Sequence, residues 1–156
     1  YNHCNAFKIM ADCRLGRAEQ ALSTLHKMIP DSKDNPVSIT GAEPYLFVNC
    51  WCMHPSFFTR IWFGWFTGTS AWALRGFYEG ICGLRREYGG LRVQPCIPGA
   101  WKELTLTRTF RGCRYHIHIS NTGSGKPEVT VDGNRLADTL LPVLNDGQIH
   151  EVVVRT

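Results

Sequence analysis

The sequence predicts an α+β chain, with helices first and strands after, on three observations. Apolar residues recur at helical spacing over residues 6–28 and again over 70–80, the period falls to two beyond Gly89-Gly90, and the later part is cut by turns rich in Gly, Asn and Asp.

In the first helix Phe7, Met10, Ala11 and Leu15 form the expected apolar stripe, with Gly16 as the C-cap. A second helix over 18–28 carries Ala18, Ala21, Leu22, Leu25 and Met28 on one face, and Pro30 ends it. Together these read as a helical hairpin. Residues 30–44, with three prolines and a single glycine, read as a long crossing loop, and loops of that length are often functional. A short extended segment over 45–50 leads into a Trp/Phe-rich stretch. The helix over 70–80 carries Ala71, Trp72, Leu74 and Tyr78, and Gly83 stops it.

Leu104-Thr105-Leu106-Thr107-Arg108-Thr109-Phe110 alternates in part and Tyr115-His116-Ile117-His118-Ile119-Ser120 alternates cleanly, as half-buried antiparallel strands do. The glycine-rich segment 121–126 is a loop, and Asp132-Gly133-Asn134 is a hairpin signal. Asn145-Asp146-Gly147 leads into a last strand over 148–154. No internal repeat or low-complexity segment is present.

Composition narrows the function classes. The 156 residues are 44% hydrophobic and carry a net charge of +4 with basic residues scattered, so nucleic-acid binding has no support. No apolar run reaches the ~18 residues of a membrane span. Seven cysteines without regular spacing read as reduced thiols of a cytoplasmic protein. The chain opens without methionine in helical sequence, so a piece of a longer protein is expected.

Chemistry concentrates in Gly64-Trp65-Phe66-Thr67-Gly68-Thr69-Ser70-Ala71-Trp72. Such a turn leaves the N–H groups of Gly68, Thr69 and Ser70 unpaired at a helix start, where the helix dipole and the threonine hydroxyls favour an anion, phosphate above all. Taken alone it is ordinary capping chemistry. Trp65 and Trp72 are assigned to packing. Cys50, Cys52 and His54 offer soft ligands, but the C-x-C-x-H spacing lacks a partner pair, and His116 and His118 fall on the solvent face of a strand. No metal site and no cofactor are expected.

From Glu43-Pro44-Tyr45, through Trp65-Phe66-Thr67-Gly68-Thr69 and Gly83-Leu84-Arg85-Arg86-Glu87-Tyr88-Gly89-Gly90-Leu91-Arg92-Val93-Gln94-Pro95-Cys96-Ile97-Pro98, to Thr107-Arg108-Thr109-Phe110-Arg111-Gly112-Cys113-Arg114-Tyr115 and Val131-Asp132-Gly133, nearly the whole chain resembles one family. It is similar to the C-terminal part of the cellobiose and cellodextrin phosphorylases. These are inverting enzymes that cleave a β-glucoside with inorganic phosphate to give α-glucose 1-phosphate.

The resemblance implies that residues 1–86 are the last helices and loops of an (α/α)6 catalytic barrel and 87–156 a small antiparallel β-sandwich. It implies phosphate binding by His3, Thr67 and Gly68, and donor-sugar binding by Glu43, Tyr45 and Asn49. The implied partners are a β-linked glucose disaccharide or oligosaccharide, phosphate, glucose 1-phosphate and, at full length, a second copy in a homodimer. Phosphate enters as co-substrate. One general acid suffices when phosphate itself attacks; the family aspartate lies upstream of the matched part, so this chain alone is expected to be inactive. The loop over 49–60 departs from the family pattern and leaves the acceptor sugar open. The alternatives are a carbohydrate-binding remnant without catalysis, and the phosphorylase-like region of a cyclic β-1,2-glucan synthase.

Overall fold

The computed structural model describes residues 1–58 and 60–156; Thr59, in the divergent loop over 49–60, lies outside the described residues. The fold is α+β. It divides into two compact units, Tyr1–Ile81 and Cys82–Thr156. Among the described residues no helix is long and apolar enough to cross a membrane.

The first unit is built on helices α1 (Asn2–Arg14) and α2 (Ala18–Met28). α2 buries Ala21, Leu25 and Met28, the stripe its sequence predicts. α1 departs from expectation: it buries Asn2, Ala6, Ile9 and Asp12, whereas Phe7 and Leu15 are exposed. The reason is what crosses it. Helix α4 (Thr69–Arg75) runs on as a π-helical segment, Gly76–Ile81, beside α1. A Cβ on Gly76 would meet Ile9 Cγ2 at 3.2 Å, and one on Gly80 would meet Cys13 Sγ and Met10 Sδ at 3.2 Å. Two glycines one turn apart therefore let the elements close on the Ile9 side, while Phe7 meets Trp72 edge-on at 4.8 Å.

Between α2 and α4 the long loop holds a one-turn helix, α3 (Val37–Thr40), which the proline-rich sequence hid. The extended segment pairs only at its end, where strand β1 (Cys50–Trp51) lies antiparallel to β2 (Ile61–Trp62).

The second unit opens with the hairpin of β3 (Leu84–Glu87) and β4 (Gly90–Val93), inside a stretch read as helical and loop sequence up to residue 86. Gly83 makes the entry: its φ is +71° and a Cβ would sit 2.0 Å from Gln94 O, so only glycine fits. β9 (Leu140–Leu141) adds a third strand beside β4. Arg92, on the middle strand, links its two neighbours, donating to both oxygens of Glu87 on β3 at 2.6 and 3.0 Å and to Asp138, just before β9, at 3.1 Å.

The second sheet contains β5 (Glu103–Phe110), β6 (Cys113–Ser120), β7 (Glu128–Val131), β8 (Asn134–Arg135) and β10 (Ile149–Arg155), in the order β5-β6-β10-β7-β8. Arg111-Gly112 and Asp132-Gly133 turn its hairpins with positive φ at both residues, the type I′ geometry that matches strand twist. The antiparallel expectation needs one correction: β10 runs parallel to β6, with His150 opposite Tyr115. A parallel neighbour requires a crossover, and the chain from Asn121 to Gln148 supplies it. β6 buries Cys113, Tyr115, Ile117 and Ile119 and turns His116 and His118 to the other face, where both approach Glu151, at 3.1 and 3.5 Å.

Candidate functional site

The candidate site lies in the first unit, where the start of α1, the loop before β1 and the segment leading into α4 meet. Thr67 organises the turn. Its Oγ1 accepts a hydrogen bond from Thr69 N at 3.1 Å and lies 2.7 Å from Thr69 Oγ1, capping α4 from one residue outside Gly68. The Thr69 N–H, expected to be open, is therefore occupied.

Of the three phosphate candidates, His3 is brought in by the first turn of α1. Its Nε2 lies 3.2 Å from Thr67 Oγ1, a contact across 64 positions of sequence. A Cβ on Gly68 would come within 3.3 Å of the same nitrogen, so the bare glycine leaves the imidazole its room. Tyr1 OH bonds to His3 Nδ1 on the other side of the ring. His3, Thr67 and Gly68 form one cluster.

The donor-sugar candidates gather on the preceding residues of the same segment. Glu43 Oε1 accepts from Trp65 Nε1 at 3.3 Å, and Tyr45, 72% exposed, stands with its ring centroid 6.3 Å from that of Trp65. Asn49 Nδ2 donates to Phe66 O at 3.2 Å, while its Oδ1 is buried with no hydrogen-bond partner. The four residues 65–68 thus run from the carboxylate and aromatic group to the His3 cluster. A second link is main-chain, Asn2 N to Asn49 O at 2.6 Å.

Trp65 corrects the packing assignment. It is 67% exposed and holds Glu43, because α4 begins only at Thr69 and the spacing to Trp72 is not helical. An indole two residues before a Thr-Gly turn was the available signal. Trp72 does pack, against Phe7 and beneath the Arg75 guanidinium at 4.9 Å. Of the soft residues, Cys50 Sγ bonds to Trp62 O, Cys52 Sγ accepts from His54 N at 3.4 Å, and His54 Nδ1 accepts from Ser56 N.

A family model for the catalytic domain of the glycosyl hydrolase 94 superfamily matches residues 1–83, just over half of the chain. The chain belongs to this superfamily. Residues 84–136 match the C-terminal domain of glycosyl hydrolase family 65. Among superfamily relatives, a solabiose phosphorylase of Paenibacillus borealis is 36% identical over 99% of the chain. A 3-O-β-D-glucopyranosyl-β-D-glucuronide phosphorylase of the same organism is 34% identical over 99%. An N,N'-diacetylchitobiose phosphorylase of Vibrio furnissii is 31% identical over 85%. The chain spans about a fifth of the length of these relatives: 21%, 21% and 17%. All three phosphorylases differ in the sugar they are named for, and the chain's site lies in the part matched to the catalytic domain.

Proposed function

We propose that this chain supplies the phosphate site and part of the donor-sugar site of an inverting phosphorylase that cleaves a β-linked glucoside with inorganic phosphate to give α-glucose 1-phosphate. The observation that carries the reading is the meeting of His3, in the first turn of α1, with Thr67 and Gly68, more than sixty positions on, at the start of α4. An imidazole, a hydroxyl and a glycine N–H at a helix start are groups that can hold the attacking phosphate without neutralising it fully. Beside them Glu43 accepts from sugar hydroxyls, Tyr45 offers a ring to the apolar pyranose face, and the unpartnered Asn49 Oδ1 gains the donor it lacks.

On this reading Tyr1–Ile81 belongs to an (α/α)6 barrel and Cys82–Thr156 to a β-sandwich. An apolar groove lined by Leu25, Ile29, Phe47, Ala73, Leu74 and Phe77 supports the former, since a further barrel helix would cover it.

The test is steady-state formation of glucose 1-phosphate by a protein that carries this chain together with a catalytic acid. Thr67→Val is expected to raise KM for phosphate about tenfold, the worth of one hydrogen bond to a charged group, with KM for the glucoside little changed. Tyr45→Ala is expected to do the reverse. If both substitutions shift the two constants alike, the division into phosphate and sugar sites is wrong.

A further inference from the structure

Three turns of the second unit converge at one end of its larger sheet. Arg111-Gly112 delivers Cys113 at the start of β6, Asn145-Asp146-Gly147 delivers Asp146 just before β10, and Asp132 follows β7 opposite Glu151, the third residue of β10. Cys113 Sγ lies 3.2 Å from Asp146 Oδ1, and His150 Nε2 lies 3.1 Å from the same oxygen. The three donor atoms all fall within 4.8 Å of one another. On the far side of the ring, His150 Nδ1 meets Asp132 Oδ2 at 2.7 Å, and the other oxygen of Asp132 accepts from Glu151 N at 2.9 Å.

We propose that Cys113, Asp146 and His150 form a binding site for a divalent transition ion, zinc by preference. The set matches the chemistry of such sites at each level. One thiolate, one imidazole and one carboxylate are three ligands of the type zinc takes, leaving a fourth position for water. Bonds of about 2.0–2.3 Å in a tetrahedron separate neighbouring ligand atoms by roughly 3.3–3.7 Å, close to the two short distances observed. Asp132 occupies the position of the carboxylate that usually holds the second nitrogen of a ligating histidine, fixing the ring with Nε2 toward the ion. Cys113 and His150 are buried, and the half-exposed Asp146 marks the way in. Zinc displaces the Cys113 thiol proton and leaves the imidazole neutral at Nε2, so two protons are released if the ring starts charged.

The second reading of the same residues is a metal-free network, with His150 charged between two aspartates. Titration of the purified protein with Co(II), followed by Zn(II) displacement, separates them. One equivalent of Co(II) with a thiolate charge-transfer band, lost in Cys113→Ser and in His150→Ala and weakened about 10- to 100-fold in Asp132→Asn, is the expected result. X-ray absorption of the zinc-loaded wild-type protein, which needs no variant to fold, is expected to give one sulfur with nitrogen and oxygen neighbours. The proposal is overturned if the folded protein takes up no cobalt. It is equally overturned if two sulfurs bind the ion, or if the band survives Cys113→Ser and vanishes with Cys50→Ser, since the Cys50 and Cys52 loop is then the site.

Discussion

At the scale of single residues, Asn2 does more than begin a helix. Its side chain is fully buried, its Nδ2 donates to Val48 O at 3.0 Å, and its Oδ1 accepts from Asn5 Nδ2 at 2.9 Å. With the main-chain bond from Asn2 N to Asn49 O, the residue fastens the loop carrying Asn49 to the helix carrying His3. Asn2→Ala leaves the Val48 carbonyl without this donor, and a buried polar group deprived of its partner costs about 1–3 kcal/mol. Urea denaturation followed by tryptophan fluorescence is expected to show a loss of that size. An unchanged midpoint would mean that water replaces the amide and that Asn2 does not hold the loop. Cys82 illustrates the opposite case, a group with no chemistry to offer: burial pushes its thiol up to about 12, which suits a reduced packing residue.

At the scale of elements, one arginine on the middle strand of the smaller sheet reaches both of its neighbours. Arg92 hydrogen-bonds Glu87 and Asp138; the Glu87 carboxyl is held below its ordinary range chiefly by that bond, and Asp138 first by the Thr139 N–H and then by Arg92. Depressed carboxyl pKa values give stability that is complete above the unfolded value near pH 4 and is lost as pH falls through the lower folded values. Melting temperature is therefore expected to fall modestly as pH drops below about 4. Arg92→Met should be less stable at pH 7 and flatter over that acid limb, and the difference should shrink in high salt because the groups are exposed. Parallel acid limbs in the two proteins would show that the pairs contribute nothing. The elements also show what a sequence can and cannot disclose. α2 was legible to its last residue because a local stripe and Pro30 fix it, and β6 because its alternation is clean. The β3–β4 hairpin was not, since Arg85, Arg86 and Arg92 interrupt the alternation and the burial of Leu84, Leu91 and Val93 is decided partly by β9, some fifty residues on. The parallel seat of β10 beside β6 is likewise a pairing between distant segments.

At the scale of the whole molecule, the same division between local and distant information governs the candidate sites. The Thr-Gly turn and the Glu-Pro-Tyr segment are local motifs and were readable. The closing of Trp65 on Glu43, and the meeting of Cys113 with Asp146 and His150, join segments 22 to 37 positions apart and carry no spacing signature. What a phosphorolytic reaction also needs is an acid that keeps its proton near neutral pH, which means a carboxyl whose pKa is raised by burial or by a neighbouring charge. The carboxyls whose acidity this fold alters, Glu87, Asp132, Asp138 and Asp146, are all moved the other way. Asp146 is held at about 2, first by the Gln148 N–H and then by Cys113 and His150. Such groups are anions throughout the working range and cannot protonate a leaving glycosidic oxygen. Because the proposed function draws its acid from outside these residues, the 156-residue chain by itself is expected to form no glucose 1-phosphate from β-linked disaccharides and phosphate in a coupled assay. Glucose 1-phosphate appearing above background, and lost on substitution of one of the chain's own aspartates, would place the acid within these residues and overturn the assignment of its carboxyls to structure.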